Sequence, residues 1–348
     1  MKYHKLGNTD IDVSVICLGT MTWGEQNTEA DGFEQLDYAL AQGVNFIDTA
    51  ELYAIPPRSE TYGATETIIG NWLKKTGRRK DIVLASKVAG PADGWLPHIR
   101  DEKNRRLDRK NIEAALHDSL KRLQTDYLDL YQLHWPDRKS NFFGQLGYVH
   151  NAEDEFVALE ETLAVLDDLV KAGKIRHVGL SNETPWGVMR SLCISEQKQL
   201  PRVMSVQNPY SLLNRSYEVG LAEVSIREQC GLLAYSPLGF GVLSGKYLNH
   251  GAPAGARITL WPDYNRYTNE QAVAATTAYV NLARDAALDP AQMALAYVNS
   301  RPFLTANIIG ATRMDQLASN IDSINITLGD DVLEAIEAIH AQHPNPSP

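Results

Sequence analysis

The chain has 348 residues, 44% of them hydrophobic and 22% charged, with a formal net charge of −10. This composition is close to that of average globular proteins and excludes a disordered, collagenous or coiled-coil protein. The acidic balance argues against a general nucleic-acid binder, because neutralising phosphates requires a basic surface.

Membrane, targeting and metal signals are not predicted from the sequence. No apolar run approaches the roughly 18 residues needed to cross a membrane, and none follows the basic N-terminus as in a signal peptide. The cysteines Cys17, Cys193 and Cys230 are too few and too scattered for a disulfide framework or a zinc cluster. We therefore expect a cytoplasmic protein without a metal site that works on small molecules.

In chain order, short apolar runs alternate with longer stretches of helical period. The predicted strands cover 13–18, 45–47, 82–86, 127–133, 175–180, 203–206, 232–235 and 305–309. Amphipathic helices are predicted between them. The segment 29–42 is the first, and 109–123 is the clearest, with Asp108 as its N-cap. Asp289 followed by Pro290 predicts a further helix start.

Eight strand–helix units without a break in composition predict an α/β fold, a (β/α)₈ TIM barrel that forms one domain over 1–348. A doubly wound sheet is the main alternative, but no G-x-G-x-x-G follows the first predicted strand. The stretches 136–155 and 249–269 are predicted to be two long βα-loop insertions. The proline-rich tail 343–348 cannot continue a helix and is expected to be loose.

Four ionisable residues of different types lie at or just after the ends of predicted strands, where barrels of this kind carry their reactive groups. They are Asp48, Tyr53, Lys87 and His134. Each alone has an ordinary structural explanation, as a helix cap, a rim aromatic, a surface charge or a satisfied histidine. Their placement at successive strand ends favours a shared catalytic site.

These four residues suit the reduction of a carbonyl group. Tyr53 can protonate the oxygen, and Lys87 is expected to lower the pKa of Tyr53 from its ordinary value of about 10. Asp48 would keep Lys87 charged, and His134 could donate a hydrogen bond to the carbonyl oxygen. Because side chains do not carry hydride, the reaction requires a nicotinamide cofactor.

Polar and glycine-rich turns follow the last four predicted strands, where barrels commonly bind phosphate. These turns are 181–182, 207–208, 235–239 and 310–313. Aromatic residues follow the first, fourth and sixth predicted strands, namely Trp23, Trp135 and Tyr210. We expect these rings, with Tyr53, to contact the substrate and to favour apolar or aromatic carbonyl compounds.

Several motifs match one family along the whole chain. They are GTMTWG at 19–24, NFIDTAELY at 45–53, ASK at 85–87, DYLDLYQLHW at 126–135, GLSN at 179–182, QNPY at 207–210, YSPL at 235–238, and DQL at 315–317 with Asn320. The chain thus resembles the aldo-keto reductases. Within them it is similar to the bacterial Tas-like branch and to the potassium-channel β-subunit group.

The resemblance implies a (β/α)₈ barrel and reduction of carbonyl compounds with NADPH, and it matches Asp48, Tyr53, Lys87 and His134 to the catalytic tetrad of the family. It also implies where the cofactor binds. Beside Asp48, Gly19, Thr20 and Met21 would line one side of the nicotinamide. Ser181, Asn182 and Gln207 would hydrogen-bond its carboxamide, and Tyr235 would stack on its ring. The pyrophosphate would meet Ser236, Pro237, Leu238, Gly239, Lys246 and Arg257, and the adenosine end would meet Gln316 and Asn320.

One departure from the family concerns the 2′-phosphate of NADPH. Gly310 and Ala311 stand where many members have a lysine and a serine, so we expect Thr312 and Arg313 to supply the contact.

Two other functions stay open at this point. A lysine that ends a barrel strand is also how Schiff-base aldolases and isomerases present their amine. The resemblance to channel β-subunits allows a nucleotide-occupied regulatory module that senses for a partner protein. The expected small-molecule partner in the favoured hypothesis is a carbonyl substrate, and the oligomeric state is left open.

Overall fold

Eight parallel strands close into a barrel in the computed structural model, which describes residues 1–92 and 94–347. The barrel strands are β3 (Ile16–Gly19), β4 (Phe46–Asp48), β5 (Val83–Val88), β6 (Leu128–Leu133), β7 (Ile175–Ser181), β8 (Val203–Pro209), β9 (Gly231–Tyr235) and β10 (Leu304–Ile309). Pairing of β10 with β3 closes the ring. This confirms the predicted (β/α)₈ barrel.

A hairpin precedes the barrel and corrects one prediction. Strands β1 (Tyr3–Lys5) and β2 (Asp12–Ser14) pair antiparallel, so the predicted strand 13–18 is in fact the end of β2 followed by β3. The two halves of this apolar run pair with different partners, which periodicity does not reveal. Leu6 and Val13 of the hairpin region pack against Cys17 and Phe46 inside the barrel. The hairpin therefore fills the N-terminal end of the barrel and leaves the opposite end for a site.

Helices surround the barrel. They are α1 (Glu29–Ala41), α2 (Ala64–Thr76), α3 (Arg109–Leu123), α4 (Leu159–Lys171), α5 (Pro185–Lys198), α6 (Tyr217–Arg227), α7 (Arg257–Leu260), α8 (Glu270–Asp285), α9 (Pro290–Asn299), α10 (Met314–Asp322) and α11 (Asp330–Gln342). The predicted caps are confirmed, since Asp108 accepts from Asn111 N and Asp289 accepts from Gln292 N, each at 2.9 Å. No described helix is both long and apolar enough to cross a membrane.

Both predicted insertions are long loops over the C-terminal end of the barrel. The first, between β6 and α4, has no regular element, and the second, between β9 and α8, contains the short helix α7. Residue bounds of the barrel strands otherwise agree with the predictions to within a few residues.

The C-terminal tail is docked rather than loose, which corrects the prediction for 345–347. Asn345 Oδ1 accepts from Arg215 N at 2.7 Å, and Pro346 O accepts from Asn269 Nδ2 at 2.9 Å. Ser347 N donates to Leu213 O at 3.2 Å. Prolines stop a helix, but they leave their carbonyl oxygens free to bind elsewhere. Pro348 lies outside the described residues.

Candidate active site

Three neighbouring strands deliver the four predicted catalytic residues to one place. Asp48 ends β4, Lys87 lies at the end of β5 and His134 directly follows β6, while Tyr53 lies in the loop after β4. The register pairs Asp48 with Ala85 and Lys87 with Gln132, so these strand ends lie side by side. The structure thus brings the predicted set together at the C-terminal end of the barrel.

Lys87 is the centre of this set. Its Nζ atom donates to Asp48 Oδ2 at 2.6 Å, to Thr49 O at 2.8 Å and to Tyr53 OH at 3.3 Å. The side chain has no exposed surface. An ammonium group has three N–H donors, so these contacts use all of them. Burial by itself would lower the pKa of Lys87, but Asp48 and Tyr53 together raise it above the ordinary value, and the group stays charged.

The pKa of Tyr53 shifts opposite to our expectation. Removal of the phenol from water raises its pKa above the ordinary 10.0, and this effect outweighs the lowering by Lys87. The prediction of a net lowering is therefore wrong, although Lys87 itself acts in the predicted direction. At neutral pH Tyr53 keeps its proton and can act as a donor.

His134 is a neutral imidazole at the same mouth. It is 7% exposed, and its ring meets Tyr53 edge to face with 5.9 Å between centroids. Burial, followed by the nearby charge of Lys87, holds the pKa of His134 well below 6.5. Its Nδ1 atom makes no hydrogen bond to any residue that the structure describes. A neutral imidazole offers one donor and one acceptor nitrogen.

Asp48 is held by two amides as well as by Lys87. Its Oδ1 atom accepts from Gln207 Nε2 at 2.8 Å and from Gln132 Nε2 at 3.2 Å. Gln132 was missed by the sequence analysis. A polar residue inside the buried run of β6 is the signal that could have identified it, since a buried amide requires partners.

The residues predicted to bind the carboxamide and to stack on the nicotinamide form a connected group beside His134. Tyr235 OH donates to Asn182 Oδ1 at 2.7 Å, and Asn182 Nδ2 donates to His134 O at 2.9 Å. Ser181 Oγ donates to Gln207 O at 2.8 Å. The ends of β6, β7, β8 and β9 are therefore linked to the tetrad by side-chain hydrogen bonds.

The residues predicted on the other side of the nicotinamide support the Tyr53 loop. Thr20 Oγ1 donates to Asp48 O at 2.8 Å, and Met21 O accepts from Ile55 N at 2.9 Å. Gly19 lies so close to β10 that a Cβ would be 2.7 Å from the side chain of Ile308. Glycine is thus required there by the close approach of two strands.

A group of cations lies at the second insertion. Lys246 and Arg257 have no carboxylate within ion-pair distance among the described residues, and burial together with Arg257 and Arg313 lowers the pKa of Lys246. The turn that holds Ser236, Pro237, Leu238 and Gly239 leads directly into this segment. Mutually repelling cations without carboxylates fit a polyphosphate, so the donor set suits the nucleotide that the family implies.

Arg266, which the sequence analysis missed, contributes to the same region. The guanidinium carbons of Arg257 and Arg266 lie 5.0 and 5.8 Å from the centroid of the Phe240 ring. Arg266 also acts on Tyr235, whose pKa is raised by burial and lowered in part by this cation. Arg266 lies in an irregular loop, where spacing carries no signal.

The residues predicted for the adenosine end lie along α10 and contact the turn 310–313 that precedes it. Gln316 Oε1 accepts from the backbone N and the hydroxyl of Thr312, each at 3.2 Å, and Asn320 Nδ2 donates to Gly310 O at 3.2 Å. Arg313 makes two contacts to Asp315, at 2.9 and 2.8 Å, and both side chains are exposed. Such a surface pair is weak and can open to a phosphate.

Three of the predicted substrate contacts are corrected. Trp23 and Tyr210 have no exposed surface, and their polar atoms are bound inside the protein: Trp23 Nε1 donates to Gln35 Oε1 and Tyr210 OH donates to Glu218. Trp135 is 1% exposed, and its Nε1 donates to Pro91 O at 2.7 Å. Rings buried in this way have no surface to offer a substrate. Tyr53 keeps its place at the mouth.

Two other aromatic side chains are exposed next to Trp135. Trp95 is 46% exposed with its ring centroid 5.4 Å from that of Trp135, and Phe143 is 37% exposed at 5.5 Å. Trp95 lies in the loop after β5, and Phe143 lies in the first insertion. The aromatic surface near His134 is therefore made by these loops.

A closed parallel barrel that holds an aspartate, a tyrosine, a lysine and a histidine together at its C-terminal end has the architecture of a barrel enzyme. The profile of the Aldo/keto reductase family matches residues 15–341. The chain belongs to this family and is an oxidoreductase.

The chain is similar over most of its length to several known proteins, one of which is described as an oxidoreductase. The chain is 56% identical to "Protein tas" of Escherichia coli (strain K12) over the full length of both. It is 32% identical to "Uncharacterized oxidoreductase YrpG" of Bacillus subtilis (strain 168), over 97% of this chain and 96% of that protein. It is 28% identical to "Probable voltage-gated potassium channel subunit beta" of Oryza sativa subsp. japonica, over 99% and 98%.

Proposed function

We propose that this chain reduces aldehydes and ketones to alcohols, reversibly, with NADPH as the reductant. The observation that carries the proposal is the contact of Lys87 Nζ with Tyr53 OH at 3.3 Å inside the buried tetrad. A protonated phenol beside a fixed ammonium is a proton donor whose product, the phenolate, is stabilised where it forms.

Each of the four residues has a separate role in the reaction. Bound NADPH supplies a hydride to the carbonyl carbon. Tyr53 gives its proton to the carbonyl oxygen, and the resulting phenolate is balanced by Lys87 until a proton from solvent restores it. Asp48 keeps Lys87 charged and oriented through the 2.6 Å contact. His134, held neutral by burial, is placed to donate a hydrogen bond to the same oxygen.

The cofactor would be held by residues of this chain along the mouth. Lys246 and Arg257 suit the pyrophosphate because they have no carboxylate partners among the described residues. Arg313 suits the 2′-phosphate, since a guanidinium binds phosphate in a bidentate way. This contact would have to displace Asp315.

The geometry does not favour a Schiff-base mechanism. That mechanism requires a neutral, accessible amine, whereas Lys87 is buried, paired with Asp48 and has a raised pKa. A second candidate remains, a nucleotide-retaining sensor with weak reductase activity. The observation that favours it is the similarity to a relative described as a potassium channel subunit beta.

One experiment separates the two. NADPH oxidation is measured across small aldehydes, ketones and quinones, with NADH as the comparison and the Tyr53→Phe variant as the negative control. Turnover that depends on Tyr53 supports the reductase. Tight NADPH retention with slow turnover on every substrate supports the sensor.

A further inference from the structure

Gln132 is a buried amide in the middle of the barrel wall. It has no exposed surface and lies in register between Lys87 on β5 and Gly179 on β7. A Cβ built on Gly179 would lie 3.1 Å from Gln132 Cγ and 2.8 Å from Ser205 Oγ. The missing side chain at 179 therefore leaves the space that Gln132 occupies.

The orientation of the two amides follows from the chemistry of Asp48. An ionised carboxylate only accepts hydrogen bonds, so both Gln132 and Gln207 must turn their nitrogen atoms toward it. Lys87 occupies Oδ2, and the two amide nitrogens share Oδ1. The second N–H of Gln207 is then free to reach Gln132 Oε1, and it does so at 3.1 Å.

Both N–H groups of Gln207 are thus used within the barrel. Its remaining polar atom, Oε1, makes no hydrogen bond to any of the residues described in the structure, and it is not sealed from solvent. The amide therefore presents an acceptor, and no donor, to whatever lies above it.

We propose that Gln132 is a positioning residue that fixes the Gln207 amide as a hydrogen-bond acceptor for the carboxamide NH₂ of the nicotinamide. The inference rests on the proposed function, in which a nicotinamide nucleotide binds beside Gln207. Without Gln132, the Gln207 amide keeps its nitrogen turned toward Asp48, but with one partner instead of two it can tilt about its terminal bond, and Oε1 is no longer aimed in one fixed direction. The preference of the site for a cofactor that carries an NH₂ group then weakens.

The test compares two cofactors that differ at this group. Reduced NADPH carries a carboxamide, whereas its 3-acetylpyridine analogue has a methyl group in place of NH₂. Dissociation constants are measured by quenching of protein fluorescence, without substrate. A neutral hydrogen bond contributes roughly threefold to tenfold in affinity, so wild type should prefer NADPH to the analogue by about that factor.

The Gln132→Leu and Gln132→Met variants should bring this preference toward unity by weakening NADPH binding while leaving analogue binding nearly unchanged. Gln207→Leu should abolish the preference outright, and adding Gln132→Leu to it should change nothing more. Gln132→Met fills a similar volume and serves if Gln132→Leu does not fold.

A loss of stability alone should not reproduce the result. Val178→Ala removes buried volume from β7 away from the amides, and it serves as the destabilised control with an unchanged cofactor preference. If the Gln132 variants lower the melting temperature but keep the wild-type preference, Gln132 is merely structural and the proposal is overturned. If wild type binds both nucleotides equally, the positioning role is overturned while the proposed function stands. If it binds neither, both fall.

Discussion

The Nζ atom of Lys87 lies 3.3 Å from the hydroxyl oxygen of Tyr53 and 4.9 Å from the centroid of its ring. The cation therefore meets the phenol at the atom where negative charge would appear after proton transfer. Because Asp48 fixes the ammonium from the other side, no rearrangement is needed as that charge develops.

Tyr53→Phe should reduce carbonyl turnover by roughly two to four orders of magnitude, because it removes the proton donor and nothing else. The dissociation constant of NADPH and the melting temperature should stay near wild type. Steady-state kinetics and a binding titration check this. Tyr38→Phe, on helix α1 outside the mouth, is the matched control. Near-wild-type turnover in Tyr53→Phe would rule out its assigned role.

The buried neutral state of His134 predicts a dependence of stability on pH. Its pKa is lowered in the folded protein, so below about 6.5 the unfolded chain binds more protons than the folded one. The free energy of unfolding should therefore fall as pH falls from 7 to 5, by up to about 1.4 kcal/mol per pH unit from this group. Above pH 7 His134 is neutral in both the folded and the unfolded chain, so the free energy of unfolding no longer changes with pH through this group.

His134→Gln should make that slope shallower, as measured by urea unfolding at pH 7 and pH 5. His177, whose pKa is also lowered by burial, remains in both proteins and cancels in the difference. An unchanged slope would mean that folding does not lower the pKa of His134.

Arg313→Ala should weaken NADPH binding by about tenfold to a hundredfold and leave NADH binding little changed, since only NADPH carries the 2′-phosphate. The ion pair between Arg313 and Asp315 allows a second test of the same contact. Asp315→Asn should tighten NADPH binding, because it frees the guanidinium. Equal affinity of wild type for NADPH and NADH would place the 2′-phosphate elsewhere.

Tyr235 has two separable contributions. Its hydroxyl donates to Asn182 at 2.7 Å, whereas its ring is proposed to stack on the nicotinamide. Tyr235→Ala should weaken cofactor binding by about 1 to 3 kcal/mol, by analogy with stacking on nucleobases. Tyr235→Phe should keep most of that affinity. If both variants lose affinity equally, the hydroxyl contact rather than stacking is responsible.

The exposed ring of Trp95 should contribute to binding of aromatic substrates. Trp95→Ala should raise KM for aromatic aldehydes more than for small aliphatic ones, because only the former bury ring surface against it. Trp186→Ala, at a tryptophan that is 55% exposed on α5, is the control. Equal effects of Trp95→Ala on both substrate groups would exclude such a contact.

The sequence determined the barrel and which four ionisable residues meet at its mouth. Strand runs and amphipathic helices follow local periods that do not depend on distant residues, and parallel strands in a barrel deliver their C-terminal ends to one face. Asp48, Lys87 and His134 could therefore be assigned from position alone. Tyr53 could be assigned because it closely follows Asp48 along the chain.

Only the tertiary structure decided what depends on contacts between distant segments. The orientations of Trp23 and Tyr210 were set by Gln35 and Glu218, which periodicity in loops does not indicate. The amide bridge from Gln132 to Gln207 joins strands 75 positions apart. The sign of the Tyr53 pKa shift was decided by burial, because desolvation depends on every segment that excludes water from the phenol.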